Sequence, residues 1–219
     1  MTDLYVDIET FSSVELKKSG LYRYAESSDF EVLLFGYSVE AGEVQVVDLA
    51  SGEVIPDEIL AALTDTNVKK WAHNAVFERV CLSRFQGLPS HTYLDPCQWR
   101  CSMVWSTYMG LPLSLEEVGA ALDLTSKKMS EGKNLIRHFC KPCAATKVNN
   151  GRTRNLPGHS PEKWNLFKDY NKRDVEVEMA VCARLSKYPV PNAIWSEYHL
   201  DQRINDAGIL VDMDFVHSA

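Results

Sequence analysis

Leu4-Tyr5-Val6-Asp7-Ile8-Glu9-Thr10 is the stretch on which the fold of this chain turns. Side chains of a strand alternate between faces, so Asp7 and Glu9 project the same way, about 6.5 Å apart along the strand. Two carboxylates in so small a volume repel each other unless a cation lies between them. The pair therefore suggests a platform of hard oxygen ligands for a divalent metal. An Asp-x-Glu on the solvent face of a half-exposed strand has the same pattern. The choice depends on the partners that the rest of the chain supplies.

With 219 residues and 45% apolar content, the chain can bury one substantial α/β core and a small appendage. No apolar stretch reaches the roughly 18 residues of a membrane span, and the amino terminus carries neither a basic lead nor a cleavable apolar region. A soluble protein of the bacterial or phage-infected cytoplasm, with no membrane partner, is expected. The formal charge of −7 argues against a polyanionic partner, but its distribution does not. Between Lys127 and Arg154 eight basic residues face one acid, Glu131, so this stretch carries +7 and the remainder −14. An acidic metal-binding body with one basic segment suits an enzyme that grips phosphates on one surface and cleaves them at another; a solvated helix face plus loop is the plainer account. The six cysteines are not expected to form a disulfide framework, since no secretion leader is present. Cys97, Cys101, Cys140 and Cys143 have spacings that permit a four-thiolate zinc site, and equally fit reduced thiols facing the core.

Beyond the first strand, Thr10 to Asp29 carries Lys17, Lys18, Tyr22, Arg23 and Tyr24, either a nucleic-acid contact by charge and stacking or an ordinary connector. Phe30–Val39 and Glu43–Leu49 read as strands joined at Ala41-Gly42. A short helix over Pro56–Leu63 and a strand over Asn67–His73 follow. Asn74-Ala75-Val76-Phe77-Glu78 then opens a helix running to about Phe85. A helical crossover makes this strand parallel to the first, which brings Glu78 near Asp7 and Glu9; a surface Glu at a helix amino terminus is the alternative. Tyr93-Leu94 reads as the last strand, with Asp95-Pro96 capping a helix. Ser114-Leu115-Glu116-Glu117 is a capping box, and Lys141–Ser160 is an aperiodic loop. A long helix runs from Pro161 to about Ser186. Tyr170 and Asp174 share one of its faces, a spacing that also occurs by chance. Tyr188-Pro189-Val190-Pro191 breaks the chain, Ala193–Asn205 is amphipathic, and Gly208–Asp212 reads as a turn and short strand.

In order and spacing, Asp7-Ile8-Glu9, Asn74 to Glu78 and Tyr170 to Asp174 resemble the three motifs of the DEDDy 3′→5′ exonucleases. The likeness is greatest to the proofreading domain of family A, polymerase I-like DNA polymerases, especially of phages, and runs from about Asp3 to Leu185. Tyr198 to Gly208 looks like the start of the polymerase portion. The resemblance thus implies an exonuclease domain over 1–188 and, over 189–219, a linker and the beginning of a polymerase region of the same natural chain. It implies an α/β, ribonuclease H-like fold, a five-stranded mixed sheet with its second strand antiparallel and helices on both faces. It further implies two divalent cations, Mg²⁺ or Mn²⁺. Asp7 would bridge them, Glu9 and Asp174 would complete the site of the ion that activates water, and Glu78 would serve the other, where the family usually has Asp. Tyr170 would orient the attacking water. Thr10, Phe11, His73, Asn74 and Phe77 become candidates for holding the terminal nucleotide of a single strand or frayed 3′ end, and Lys147, Arg152 and Arg154 for its phosphates. A ribonuclease D-like exoribonuclease and a catalytically silent scaffold are the alternatives.

Overall fold

The computed structural model describes residues 1–124 and 132–218, so Lys127 and Lys128 of the basic segment lie outside the described residues. β1 (Asp3–Phe11) is central in a sheet of order β3-β2-β1-β4-β5. β2 (Glu31–Val39) pairs with it antiparallel and with β3 (Gln45–Asp48) antiparallel, whereas β4 (Lys69–Ala72) and β5 (Trp99–Cys101) run parallel to β1. The expected mixed five-stranded sheet is therefore present, with its second strand antiparallel.

Alternation along β1 sorts the molecule into layers. Leu4, Val6 and Ile8 enter a core with Ile59 and Leu63 of α3 (Asp57–Thr64) and Val80 and Leu82 of α4 (Val76–Phe85). Asp7 points to the other face, where α8 (Pro161–Leu185) crosses β1, β2 and β3. Two short helices, α1 (Leu16–Ser19) and α2 (Leu21–Ala25), follow β1. Their aromatic residues are taken up internally. The Tyr24 hydroxyl lies 2.7 Å from Thr10 Oγ1, and that of Tyr22 donates to Asp206 at 2.8 Å.

The last strand lies further along than the sequence predicts. Tyr93-Leu94 forms no ladder because side chains of α4 take its main-chain groups: Leu94 N–H donates to Ser83 Oγ and Leu94 C=O accepts from Arg79, at 2.9 and 2.8 Å. Asp95 caps a single 3₁₀ turn over Pro96–Gln98 instead of a helix, and β5 follows directly. Cys97 and Cys101 consequently do not share a helix face. α5 (Ser102–Tyr108) leaves β5, and α6 (Leu115–Ala121) begins at the expected box, with Ser114 Oγ accepting from Glu117 N–H and donating to its carboxylate. α7 (Gly132–Phe139) packs Leu135 and Phe139 against Trp164, Phe167 and Tyr170 of α8. The loop from 140 to 160 is aperiodic, as expected, apart from tight turns and a 3₁₀ turn at Pro157–His159.

α9 (Asn192–Ala207) docks on this body. Arg79, fully buried, donates from Nε to Gln202 and holds the Asp206 carboxylate through both terminal nitrogens, at 2.7, 2.9 and 2.8 Å. Trp195 joins Trp105, Val177 and Val181 in a further core cluster. Past Gly208 the expected strand is absent; the chain is irregular up to α10 (Met213–Ser218), with no neighbouring strand to pair with. Among the described residues, no helix is long and apolar enough to cross a membrane.

Removing one partner of a buried, bidentate ion pair leaves a charge stranded. Asp206→Ala should therefore cost about 3 kcal/mol in urea denaturation. A cost under about 0.5 kcal/mol, the range of ordinary surface substitutions, would show that α9 is not anchored through Arg79.

Candidate active site at the carboxyl end of the parallel strands

β1, β4 and β5 end on one edge of the sheet, and a cleft of about 640 Å³ opens there. Ligands of open α/β sheets gather at such strand ends. Asp7, Glu9, Thr10, His73, Asn74, Phe77, Glu78, Tyr170 and Asp174 line it. Nine of the sequence-derived site residues thus meet in one place. Phe11, Lys147, Arg152 and Arg154 are not in its wall. Phe11 is buried under the Arg154 guanidinium, 3.9 Å from the ring centroid, and Arg154 in turn pairs with Glu31. Arg152 Nε donates to Asn155 Oδ1 at 3.0 Å, and Lys147 lies exposed beside a turn. Lys141 of the same basic segment does reach the cleft.

Local structure explains how each carboxylate is held. Asn171, fully buried on α8, donates to the Asp7 carboxylate at 2.6 Å and to the Asp7 carbonyl at 3.1 Å. Gly36 of β2 stands opposite Asp7 in the ladder, and a Cβ there would lie 2.5 Å from Asn171 Oδ1, so glycine makes room for the amide. Glu9 lies just before a bulge in β1, and the Cys140 thiol at the end of α7 donates to it at 3.7 Å. The Tyr170 hydroxyl is hydrogen-bonded to Asp174. The ring of Tyr170 abuts Gly132, where a Cβ would come within 2.1 Å of it. Between β4 and α4 the backbone turns through Asn74 at φ 73°, a left-handed conformation that asparagine tolerates. That turn sets His73 with Nε2 2.9 Å from the Leu113 carbonyl and Nδ1 2.9 Å from Ser102 Oγ.

The electrostatics are those of crowded acids. Burial, then the charge of Asp7, raises Glu78 well above the ordinary carboxylate range, and Glu178 and Glu9 add to it. Burial likewise raises Glu178, against a hydrogen bond from Ser102, with Asp7 and Asp174 adding their repulsion. Tyr170 is held far above its ordinary value by burial and then by Asp174, Glu9 and Asp7, so it is a neutral phenol. Among the described residues, Glu78 Oε2 and Glu178 Oε1 are buried with no hydrogen-bond partner. Glu78 lines the acidic cleft, and an orphaned carboxylate oxygen there fits a divalent cation. No three His, Cys, Asp or Glu side chains among the described residues stand ready-made in a cation cage. Among their partners, Asp7, Glu9 and Asp174 each have a neutral hydrogen-bond donor. The zinc proposal finds no support in the thiols. Cys97 lies against Arg203, Cys140 against Glu9 and Cys143 against the Arg152 carbonyl, while Cys101 is buried on β5. Asn171, Cys140, Ser102 and Glu178 were not foreseen; of these, Asn171 and Glu178 could have been found by reading α8 one residue beyond Tyr170 and one turn beyond Asp174.

Gly36→Ala should cost about 1–3 kcal/mol through overpacking against Asn171. In an Asn171→Ala background the added methyl should cost much less, and strict additivity in the cycle would show that the two do not touch. Glu78 and Glu178 both bind their protons more tightly than the ordinary 4.5 allows. Above that pH the folded chain holds more protons than the unfolded one, so this contribution to stability falls as pH rises toward the folded values. In EDTA, the melting temperature of the parent should drop relative to Glu78→Gln as the pH rises above about 5. Parallel curves would contradict the shift.

No protein-family model matches the chain. Over all 219 residues it is 48% identical to a DNA polymerase of Bacillus phage SP02, and it spans 33% of that polymerase's length. Among solved structures it is similar to Brucella melitensis NrnC, with a TM-score of 0.53 at 12% identity, covering 94% of this chain and 82% of that one. The form of NrnC with bound Mg²⁺ superposes with a TM-score of 0.51 at 13% identity, over 94% and 82% of the two chains. The form bound to pGG gives 0.50 at 12% identity, over the same shares. The chain accordingly has a ribonuclease H-like fold and is similar over its whole length to one third of a phage DNA polymerase.

Proposed function

We propose that this chain is a metal-dependent 3′→5′ exonuclease that hydrolyses DNA from single-stranded or frayed 3′ ends and proofreads for a polymerase region of the same natural chain. On this reading residues 1–188 form the exonuclease domain, residues 189–219 lead into the polymerase region, and the protein works in the cytoplasm of a bacterial cell or phage-infected host. The observation that carries it is the meeting of Asp7, Glu9, Glu78, Asp174 and Tyr170 on the wall of one cleft. The polymerase relative and the Mg²⁺-bound nuclease neighbour support it.

Asp7, Glu9, Glu78 and Asp174 are the residues that would hold two cations, Mg²⁺ or Mn²⁺. Such ions, when bound, activate water and neutralise the charge on the attacking and leaving oxygens. The other work falls to the chain. Asn171 fixes the Asp7 carboxylate from both its main-chain and side-chain sides. Tyr170, a neutral phenol, orients the attacking water by hydrogen bonding and does not serve as a base. Phe77, His73, Asn74 and the Thr10 main chain enclose the terminal nucleotide, with Thr10 Oγ1 turned away to Tyr24. Lys141, on the cleft wall, meets the phosphates, with the exposed Lys147 of the same basic segment further out; Arg154 instead props Phe11.

Single strands of DNA and RNA, labelled at either end and digested with Mg²⁺ or with EDTA, provide the test. Metal-dependent release of mononucleotides from the DNA 3′ end is expected. Asp7→Ala should abolish it, and Tyr170→Phe should slow it by roughly 10- to 10³-fold. Undiminished digestion by Asp7→Ala removes the proposal. Equal digestion of RNA favours the ribonuclease D-like alternative, and no digestion at all the scaffold.

A further inference from the structure

Glu178 has no part in the mechanism above, yet it lies against the same site. It follows Asp174 by one turn of α8, so the two side chains share a helix face. Glu178 is 1% exposed, and Ser102, whose hydroxyl also lies 2.9 Å from His73 Nδ1, is hydrogen-bonded to it. That leaves Oε1 buried with no hydrogen-bond partner among the described residues. Glu78, on the opposite face of the sheet, has an oxygen in the same condition. Leaving a buried polar atom unsatisfied costs about 1–3 kcal/mol, more for a charged group. A glutamate in the core solely to receive Ser102 is a poor solution, because glutamine or methionine would fill the volume without the repulsion of Asp7 and Asp174.

Resting on the reading of the cleft as a divalent-cation centre, we infer that Glu178 is a further carboxylate of that centre, accepting hydrogen bonds from the waters of a cation bound there. Mg²⁺ and its kin keep several waters when few protein ligands reach them. A buried carboxylate one layer behind the ligands both orients such waters and adds negative charge. Ser102 keeps the carboxylate turned in the required direction, which makes Glu178 a positioning residue and not a catalytic one. Outer partners of this kind change metal affinity by about 10- to 100-fold.

Mn²⁺ binding to the full chain, without DNA and followed by the electron paramagnetic resonance of the unbound ion, tests this apart from turnover. Glu178→Gln keeps the volume and should weaken binding of at least one ion by about 10-fold or more, while the melting temperature in EDTA stays level or rises. If that variant does not fold, Glu178→Met takes its place in the same titration. Asp7→Ala is the control and should lose Mn²⁺ binding more severely. Parent-like affinity and stoichiometry in the Glu178 variant, with binding lost in Asp7→Ala, overturns the inference alone. Parent-like binding in Asp7→Ala as well overturns the cation-centre reading beneath it.

Discussion

Mutual repulsion among carboxyl groups at the end of β1 is the constraint that orders this molecule. In a small buried volume Asp7, Glu178 and Glu9 add to the raised proton affinity of Glu78, and Asp7 and Asp174 to that of Glu178. Asn171, Cys140, Tyr170 and Ser102 each answer one of them with a donor that carries no charge. Donors such as these hold a carboxylate in place without cancelling the charge that attracts a cation.

α8 is the element through which fold and site become the same problem. Its first turns pack Trp164 and Phe167 against Phe139, and its later turns pack Val177 and Val181 against Trp105 and Val118. Tyr170, Asn171 and Asp174 are buried between these anchors, and Glu178 within the second. A helix clamped at both ends cannot slide without moving all four together. The glycines at 36 and 132 remove the side chains that would keep it from settling close to the acids. Core packing therefore sets distances in the cleft.

Much of this was legible in the sequence because it is local. Alternation in β1, the capping box at Ser114 and the apolar period of α8 are properties of neighbouring residues, and they placed the central strand and the helices that start at Leu115 and Pro161. The last strand was misplaced because Leu94 looks like a strand residue, yet its main-chain groups are claimed by Arg79 and Ser83 from another element. Arg154 reads as a phosphate ligand, but its environment is the Phe11 ring and Glu31, more than a hundred residues away in the chain. Asn171 and Glu178 look like ordinary polar positions of a helix. Their burial is decided by the sheet beneath them, on which periodicity is silent.

Arg79 also bears on how such a chain is exchanged between genes. The prolines at 189 and 191 look like a natural seam, and a recombination event there would keep every residue of the cleft. It would nevertheless strand a fully buried guanidinium whose partners, Gln202 and Asp206, come from beyond the seam. Tyr22, which also hands its hydroxyl to Asp206, would lose its partner too. The structural unit that holds together therefore includes α9 as far as Ala207.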